Sequence, residues 1–165
     1  MIREHNKKEV AVRPLSLDDY KSAISVRDEV VSDLSDPSLF IPPGDDYLAS
    51  LLAGEGISVG AFQNGRLLGF LSIWRPSREA SFGPLLSLSE GDLNFVWHLE
   101  HSLVLEDYRG KGIFSIMYRH ARELAGPRMR FCLKTIAPHN SSSLAAALAN
   151  GFEVVSRIKA YGGFD

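Results

Sequence analysis

Between positions 103 and 124 the chain runs from an apolar triplet, Leu103-Val104-Leu105, through Tyr108-Arg109-Gly110-Lys111-Gly112 into a regular apolar spacing at Ile113, Ile116, Met117, Ala121 and Leu124. The triplet predicts the end of a strand, and the spacing of three and four predicts one stripe of a helix. A strand that enters a helix through two glycines leaves several backbone N–H groups unpaired at the positive end of the helix dipole. Phosphate is the natural occupant of such a turn. Lys111 and Arg109 add formal positive charge at the same place.

Two familiar phosphate-binding patterns do not fit. A P-loop places glycine where Leu105 stands and Ser or Thr where Gly112 stands. A dinucleotide fingerprint has a third glycine at the position of Ser115 and an acid about 20 residues on, where Arg130 lies. The stretch from Arg109 to Phe114 instead resembles the pyrophosphate-binding turn of the GNAT superfamily of acyl-CoA-dependent N-acyltransferases, Gln/Arg-x-x-Gly-x-Gly/Ala at a strand–helix junction. Arg109 and Gly112 match, and Phe114 replaces the last small residue while keeping its N–H. A second segment agrees. Phe131-Cys132-Leu133 reads as a short strand, followed by Asn140-Ser141-Ser142-Ser143 and an alanine-rich helix that stops at Asn150-Gly151-Phe152. By residue type Asn140 is a good N-cap and Asn150-Gly151 a good C-terminal stop. The segment also resembles the family's Asn-x-x-Ala/Ser … Gly-Phe stretch, with Asn140, Ser143, Gly151 and Phe152 at matching offsets.

The resemblance implies a mixed α/β fold of GNAT type: one domain over residues 1–165, with a central mixed β-sheet of about six to seven strands flanked by about four helices. The local patterns agree. Val10 to Leu15 reads as a strand, Ser16 or Asp18 starts a helix to about Val31, and Tyr47 to Ala53 suggests a second helix. Ile57 to Phe62 and Leu67 to Trp74 flank Asn64-Gly65, a hairpin signature suited to a type I′ turn. Trp97 to Leu105 is the strand leading into the glycine turn, and Glu153 to Tyr161 reads as a late strand.

The resemblance also implies acetyl-CoA as co-substrate and an amine of a small molecule, peptide or protein as acceptor. Cofactor contacts are then expected from Leu103, Val104 and Leu105, from Arg109, Gly110, Lys111, Gly112, Ile113 and Phe114, and from Asn140 and Ser143. The oxyanion donor corresponds to the backbone N–H of Leu103 or Val104, and preorganised donors of this kind carry much of the catalysis. An aliphatic amine is protonated at neutral pH, so a base is needed. Glu100 is the candidate; it lies nine residues before Arg109, where members of the family often carry their base. Strict alternation puts His98, Glu100 and Ser102 on one face and Trp97, Leu99, His101 and Leu103 on the other. Three polar residues alternating on a strand of a covered sheet are explained by a cleft, or else by an exposed strand face. A metal site from His98, Glu100 and His101 is not expected, because His101 faces away. Many members carry a Tyr general acid where this chain has Ala147; Ser142, Ser143, Tyr161 or water are the substitutes. A second reading is a non-catalytic acyl-CoA sensor on the same fold.

Composition bounds the rest. The chain has 165 residues, is 45% hydrophobic and carries a net charge of −2, enough for a core and no argument for nucleic acid or an anionic membrane as partner. There is no apolar run of about 18 residues, and the start is too polar for a signal peptide. Cys132 is the only cysteine, so no internal disulfide forms and a reducing cytoplasm is expected. Pro76 to Asp92 and Ser32 to Asp46 are long links of the kind that set acceptor choice. The chain stops at Tyr161-Gly162-Gly163-Phe164-Asp165, where a final strand is expected to begin, and an open sheet edge there predicts a homodimer.

Overall fold

A computed structural model of the protein describes residues 9–159. Five strands form one sheet in chain order: β1 (Ala11–Pro14), β2 (Gly56–Gln63), β3 (Arg66–Trp74), β4 (Val96–Val104) and β5 (Phe131–Leu133). Neighbours are antiparallel except β4 and β5, which run parallel. Parallel strands need a crossover, and α3 (Ile113–Ala125) supplies it. The sheet is thus mixed, with four helices, as expected. Its count is five rather than six or seven among the described residues. No strand is present over residues 152–159, where a late strand was expected; residues 160–165, including Tyr161, lie outside the described residues.

Local sequence explains the elements. Ser16 caps a short 3-10 turn, Leu17–Asp19, through a capping box whose Asp19 carboxylate accepts from the Ser16 N–H at 3.1 Å and is held by the two terminal guanidinium nitrogens of Arg13. The chain continues directly into α1 (Tyr20–Ser32). Helix α2 (Asp45–Ser50) is shorter than the Tyr47–Ala53 reading; it opens into a wide turn, Leu51–Glu55, because Gly54 takes φ 110°. At the β2–β3 hairpin Asn64 and Gly65 have φ 52° and 79°, the two positive values of a type I′ turn. Asn140 caps α4 (Ser141–Leu148), and Gly151 takes φ 82° beyond its end.

Two cores sandwich the sheet. On one face Val59, Ala61, Leu71, Ile73, Trp97 and Leu99 pack against Ile113, Met117, Tyr118, Ala121 and Ala125 of α3. On the other, Leu67, Phe70, Leu103 and Leu105 pack against Ala23, Val26, Val30, Leu48 and Leu52. The α3 stripe departs from the reading at its end, where Ala125 is buried and Leu124 is exposed. No helix among the described residues is long and apolar enough to cross a membrane.

The α3 seam therefore carries stability. Met117 is fully buried, so Met117→Ala should cost about 2–5 kcal/mol, whereas Leu124→Ala should cost less than about 0.5 kcal/mol. Thermal unfolding would show the first as a fall of roughly 5–15 °C. Equal effects at the two positions would mean that α3 packs by a different face.

Candidate active site

The site grows from an irregularity in β4. Ser72 of β3 pairs with His101 and Ile73 pairs with Leu99, so Glu100 is an extra residue with no partner opposite it. A bulge of this kind inverts the alternation beyond it. Trp97 and Leu99 lie in the α3 core, yet Leu103, two pairs further on, lies in the α1/α2 core. The single polar face expected for His98, Glu100 and Ser102 is therefore split. His98 and Glu100 share one face with Trp74, whereas Ser102 points to the α3 and α4 side and accepts from Lys134 Nζ at 3.1 Å. His101, expected to face away, joins the Glu100 side instead, where Tyr47 contacts both its ring and that of Trp74. Even so, no group of three or more His, Cys, Asp or Glu among the described residues is arranged to hold a metal ion.

The Glu100 face is an aromatic enclosure. Glu100 Oε2 accepts from Trp74 Nε1 at 3.0 Å. His98 stacks on Phe82 at 5.2 Å, and its Nε2 accepts from the Phe82 N–H at 3.3 Å. That bond requires an unprotonated Nε2, and burial lowers the His98 pKa in agreement. Phe40 and Tyr47 meet the His101 ring edge-on at 6.2 and 5.8 Å. His101 is buried with no partner for Nδ1, and desolvation lowers its pKa to about 4. Both imidazoles are thus neutral near pH 7, and Glu100 is the carboxylate among them.

Both long links contribute to this enclosure. Phe82 comes from the link after β3 and Phe40 from the link between α1 and α2. The second link is tied to the start of α4: His139 Nε2 lies 2.9 Å from Ser38 Oγ, and Asn140 Nδ2 donates to Leu39 O at 3.1 Å. Asn140 Oδ1 accepts from the Ser143 N–H at 3.0 Å. Asn140 is therefore a helix cap and a bridge between two loops, with both ends of its amide engaged within the chain.

On the other side of β4 the strands part. Pairing with β5 covers only Val96, Trp97 and His98, although β4 continues to Val104. Beyond His98 the β5-side edge of β4 is left unpaired by any strand among the described residues. Leu105 N–H donates toward β3, to Leu68 O, at 2.9 Å. Backbone groups alternate in direction along a strand, so those of Val104 point to the open edge. Arg109 Nε donates there, to Val104 O, at 3.0 Å. Gly110 and Gly112 take φ 70° and 78°, and the Ile116 N–H to Gly112 O bond begins the α3 ladder. The first-turn amides of α3 are thus presented at the end of the open edge, where an anion fits their chemistry. Lys111 Nζ lies over the Tyr108 ring at 5.3 Å.

Lys134 was not singled out from the sequence. Its Nζ donates to Ser102 Oγ at 3.1 Å and to Ser143 Oγ at 3.0 Å, in the gap between β4 and α4. The available signal was a single Lys directly after the apolar triplet Phe131-Cys132-Leu133, too common a pattern to stand out.

The sheet thus opens beside a bulged strand, with a turn whose free amides suit an anion at the end of the opening and a carboxylate in an aromatic enclosure, an arrangement compatible with group transfer. The family model described as the acetyltransferase (GNAT) family matches residues 24–152, and this chain belongs to that family. It is an acyl-CoA-dependent N-acyltransferase. A sequence search of curated proteins finds no match. Several solved structures share the fold. The aminoglycoside N-acetyltransferase AAC(6')-Iy in complex with CoA aligns with TM-score 0.71 at 17% identity, covering 98% of this chain and 99% of that one. A ribosomal-protein-alanine N-acetyltransferase from Brucella melitensis biovar Abortus 2308 aligns with TM-score 0.59 at 21% identity, covering 93% and 100%. Diaminobutyrate acetyltransferase from Paenibacillus lautus, in complex with L-2,4-diaminobutyric acid and coenzyme A, aligns with TM-score 0.65 at 17% identity, covering 86% and 74%.

The buried His101 makes the site acid-sensitive. Its folded-state pKa of about 4 lies below the ordinary 6.5, so the unfolded chain takes up a proton first. No penalty exists above about pH 6.5, and it grows as pH falls toward 4, reaching roughly 3 kcal/mol. Denaturant unfolding should show wild type losing this stability over that window relative to His101→Phe. A constant difference between the two across the window would contradict it.

Proposed function

We propose that this chain moves an acetyl group from acetyl-CoA directly to a primary amine in a ternary complex, with a small-molecule amine as the first choice of acceptor and a peptide amine as the second. The observation that carries the reading is the position of Glu100. It is the unpaired residue at the bulge, beside the unpaired edge of β4, with its carboxylate on the enclosed aromatic face. In this reading the amides and charges from Arg109 to Phe114 hold the pyrophosphate. The pantetheine arm lies along the open edge of β4, past Val104, Ser102 and Ser143. The acetyl group then reaches the level of Glu100. Of Leu103 and Val104, only Val104 turns its N–H to the open edge, where it meets the pantetheine arm; Leu103 shares the edge of Leu105 and faces β3.

Glu100 acts as general base, directly or through water, and removes the proton that an aliphatic amine carries at neutral pH. Trp74 Nε1 fixes its orientation. Neutral His98 and His101 add no competing cation beside it. The aromatic walls from Phe40, Tyr47, Trp74 and Phe82 suit the apolar portion and the cationic head of an amine acceptor. Aminoglycosides and diaminobutyrate, named with the structural relatives, belong to this class of acceptor and head the panel to be tried.

The same reading places the enzyme in a reducing cytoplasm, in keeping with a lone, half-buried Cys132. It also favours a homodimer, for which exposed Val154, Val155 and Ile158 supply apolar surface; a monomeric mass in sedimentation would count against that. The activity is tested by thiol release from acetyl-CoA across aminoglycosides, diamino acids and short peptides. At least one class should accelerate release, and Glu100→Gln should then lower turnover by roughly 10²–10⁴ with cofactor affinity retained. Turnover within a few-fold of wild type would remove Glu100 from the mechanism.

A further inference from the structure

The gap between β4 and α4 holds a group that the acceptor chemistry leaves unused. Strand β5 ends at Leu133, and the next side chain, Lys134, turns into the opening where β4 loses its partner. Its Nζ donates to Ser102 Oγ and Ser143 Oγ, at 3.1 and 3.0 Å, and lies 5.0 Å from the centre of the Phe114 ring. No carboxylate among the described residues forms an ion pair with it. An ammonium has three donors, and hydroxyls take two. A desolvated cation without a counter-ion is costly, and an anion arriving in the gap relieves that cost.

Resting on the reading above, we propose that Lys134 is a catalytic residue that stabilises and protonates the sulfur leaving the thioester. The placement follows from the path of the donor. A chain laid from the Arg109–Gly112 turn along β4 toward Glu100 passes Ser102, whose hydroxyl holds Nζ. Ala147 lies one helical turn beyond Ser143 on the same face of α4 and offers no proton donor there. When the amine nitrogen bonds to the carbonyl carbon, the C–S bond breaks and its electron pair goes to sulfur. Lys134 passes a proton to that sulfur, and the surplus proton of the attacking nitrogen leaves through Glu100. The neutral lysine then recovers a proton from water. Ser102 and Ser143 are positioning residues for Nζ.

The protonation balance agrees with this role. Burial lowers the Lys134 pKa to about 8, close to that of an ordinary thiol, and proton transfer is efficient between groups so matched. Among the described residues, the titratable groups near it are Cys132 on the strand that leads to it, pushed up to about 11 by burial, and Tyr118 on α3, also raised by burial. Both stay neutral while Lys134 titrates.

The test follows the thiol of coenzyme A bound at saturation, through its ultraviolet thiolate absorbance as pH is varied, with the signal of the protein alone subtracted. The bound thiol should titrate at least about one pH unit lower in wild type than in Lys134→Met, because the cation favours thiolate. Ser143→Ala should move it the same way by less. In turnover, Lys134→Met should lower kcat roughly 10- to 100-fold, with KM for acetyl-CoA changed less than about threefold. Thermal unfolding of the variants confirms that they fold. An unchanged thiol titration, or an unchanged kcat, in Lys134→Met overturns the assignment of Lys134 alone. Failure of wild type to bind coenzyme A overturns the acyltransferase site on which it rests.

Discussion

One unpaired residue in β4 sets the geometry on which the rest of the site depends. Without the extra Glu100, Leu103 would face α3 and Ser102 would face α1 and α2. Neither core would close as it does, since Leu103 is fully buried among Val26, Phe70 and Leu105 on the far face. The extra residue also bends the strand and increases its local twist, and β4 separates from β5 at the same level. The opening, the carboxylate beside it and the lysine across it all lie at the level of this local distortion. Gly69 shows how tightly the strand is held on its other edge: a Cβ there would lie 2.4 Å from Leu103 O. The β3 side is closed by backbone contact, so only the β5 side can open.

The electrostatic character of the site follows from what burial does to each side chain. Desolvation keeps His98 and His101 neutral, raises Cys132 and lowers Lys134 toward neutrality. The two faces of one strand thus differ in charge character. The Glu100 face has aromatic walls and a carboxylate, with no cation among the described residues that contact it, which suits deprotonation of an amine. The Ser102 face has a cation held by hydroxyls with no carboxylate among the described residues paired to it, which suits an anion. An amine acceptor and a thiolate leaving group would occupy separate faces, with the acetyl carbon between them at the bulge.

Elements with a strong local signal were legible in the sequence. The glycine turn, the Asn64-Gly65 hairpin, the Ser16 start and the Asn140 and Gly151 limits of α4 each depend on backbone preferences a few residues long. The face of each residue on β4 was not legible beyond Leu99, because period-two alternation carries no trace of where an extra residue will be inserted. Strict alternation therefore groups Ser102 with Glu100 and sets His101 apart, whereas the bulge does the reverse. Asn140 shows another limit. Its capping role is local, but its bond to Leu39 joins segments a hundred positions apart, and no spacing rule reports that contact. Lys134 is the same case: its meaning comes from Ser102 and Ser143 across the fold, not from its neighbours in sequence.

In the proposed reaction the unpaired edge of β4 and the turn beyond it form the seat of the acyl-CoA. Amide hydrogen exchange with and without coenzyme A reads this directly, because a ligand laid along a strand edge protects the amides it covers. Protection is predicted over residues 101–104 and 110–115, with little change in the β2–β3 hairpin. Binding of coenzyme A with no protection in either stretch would contradict the claim.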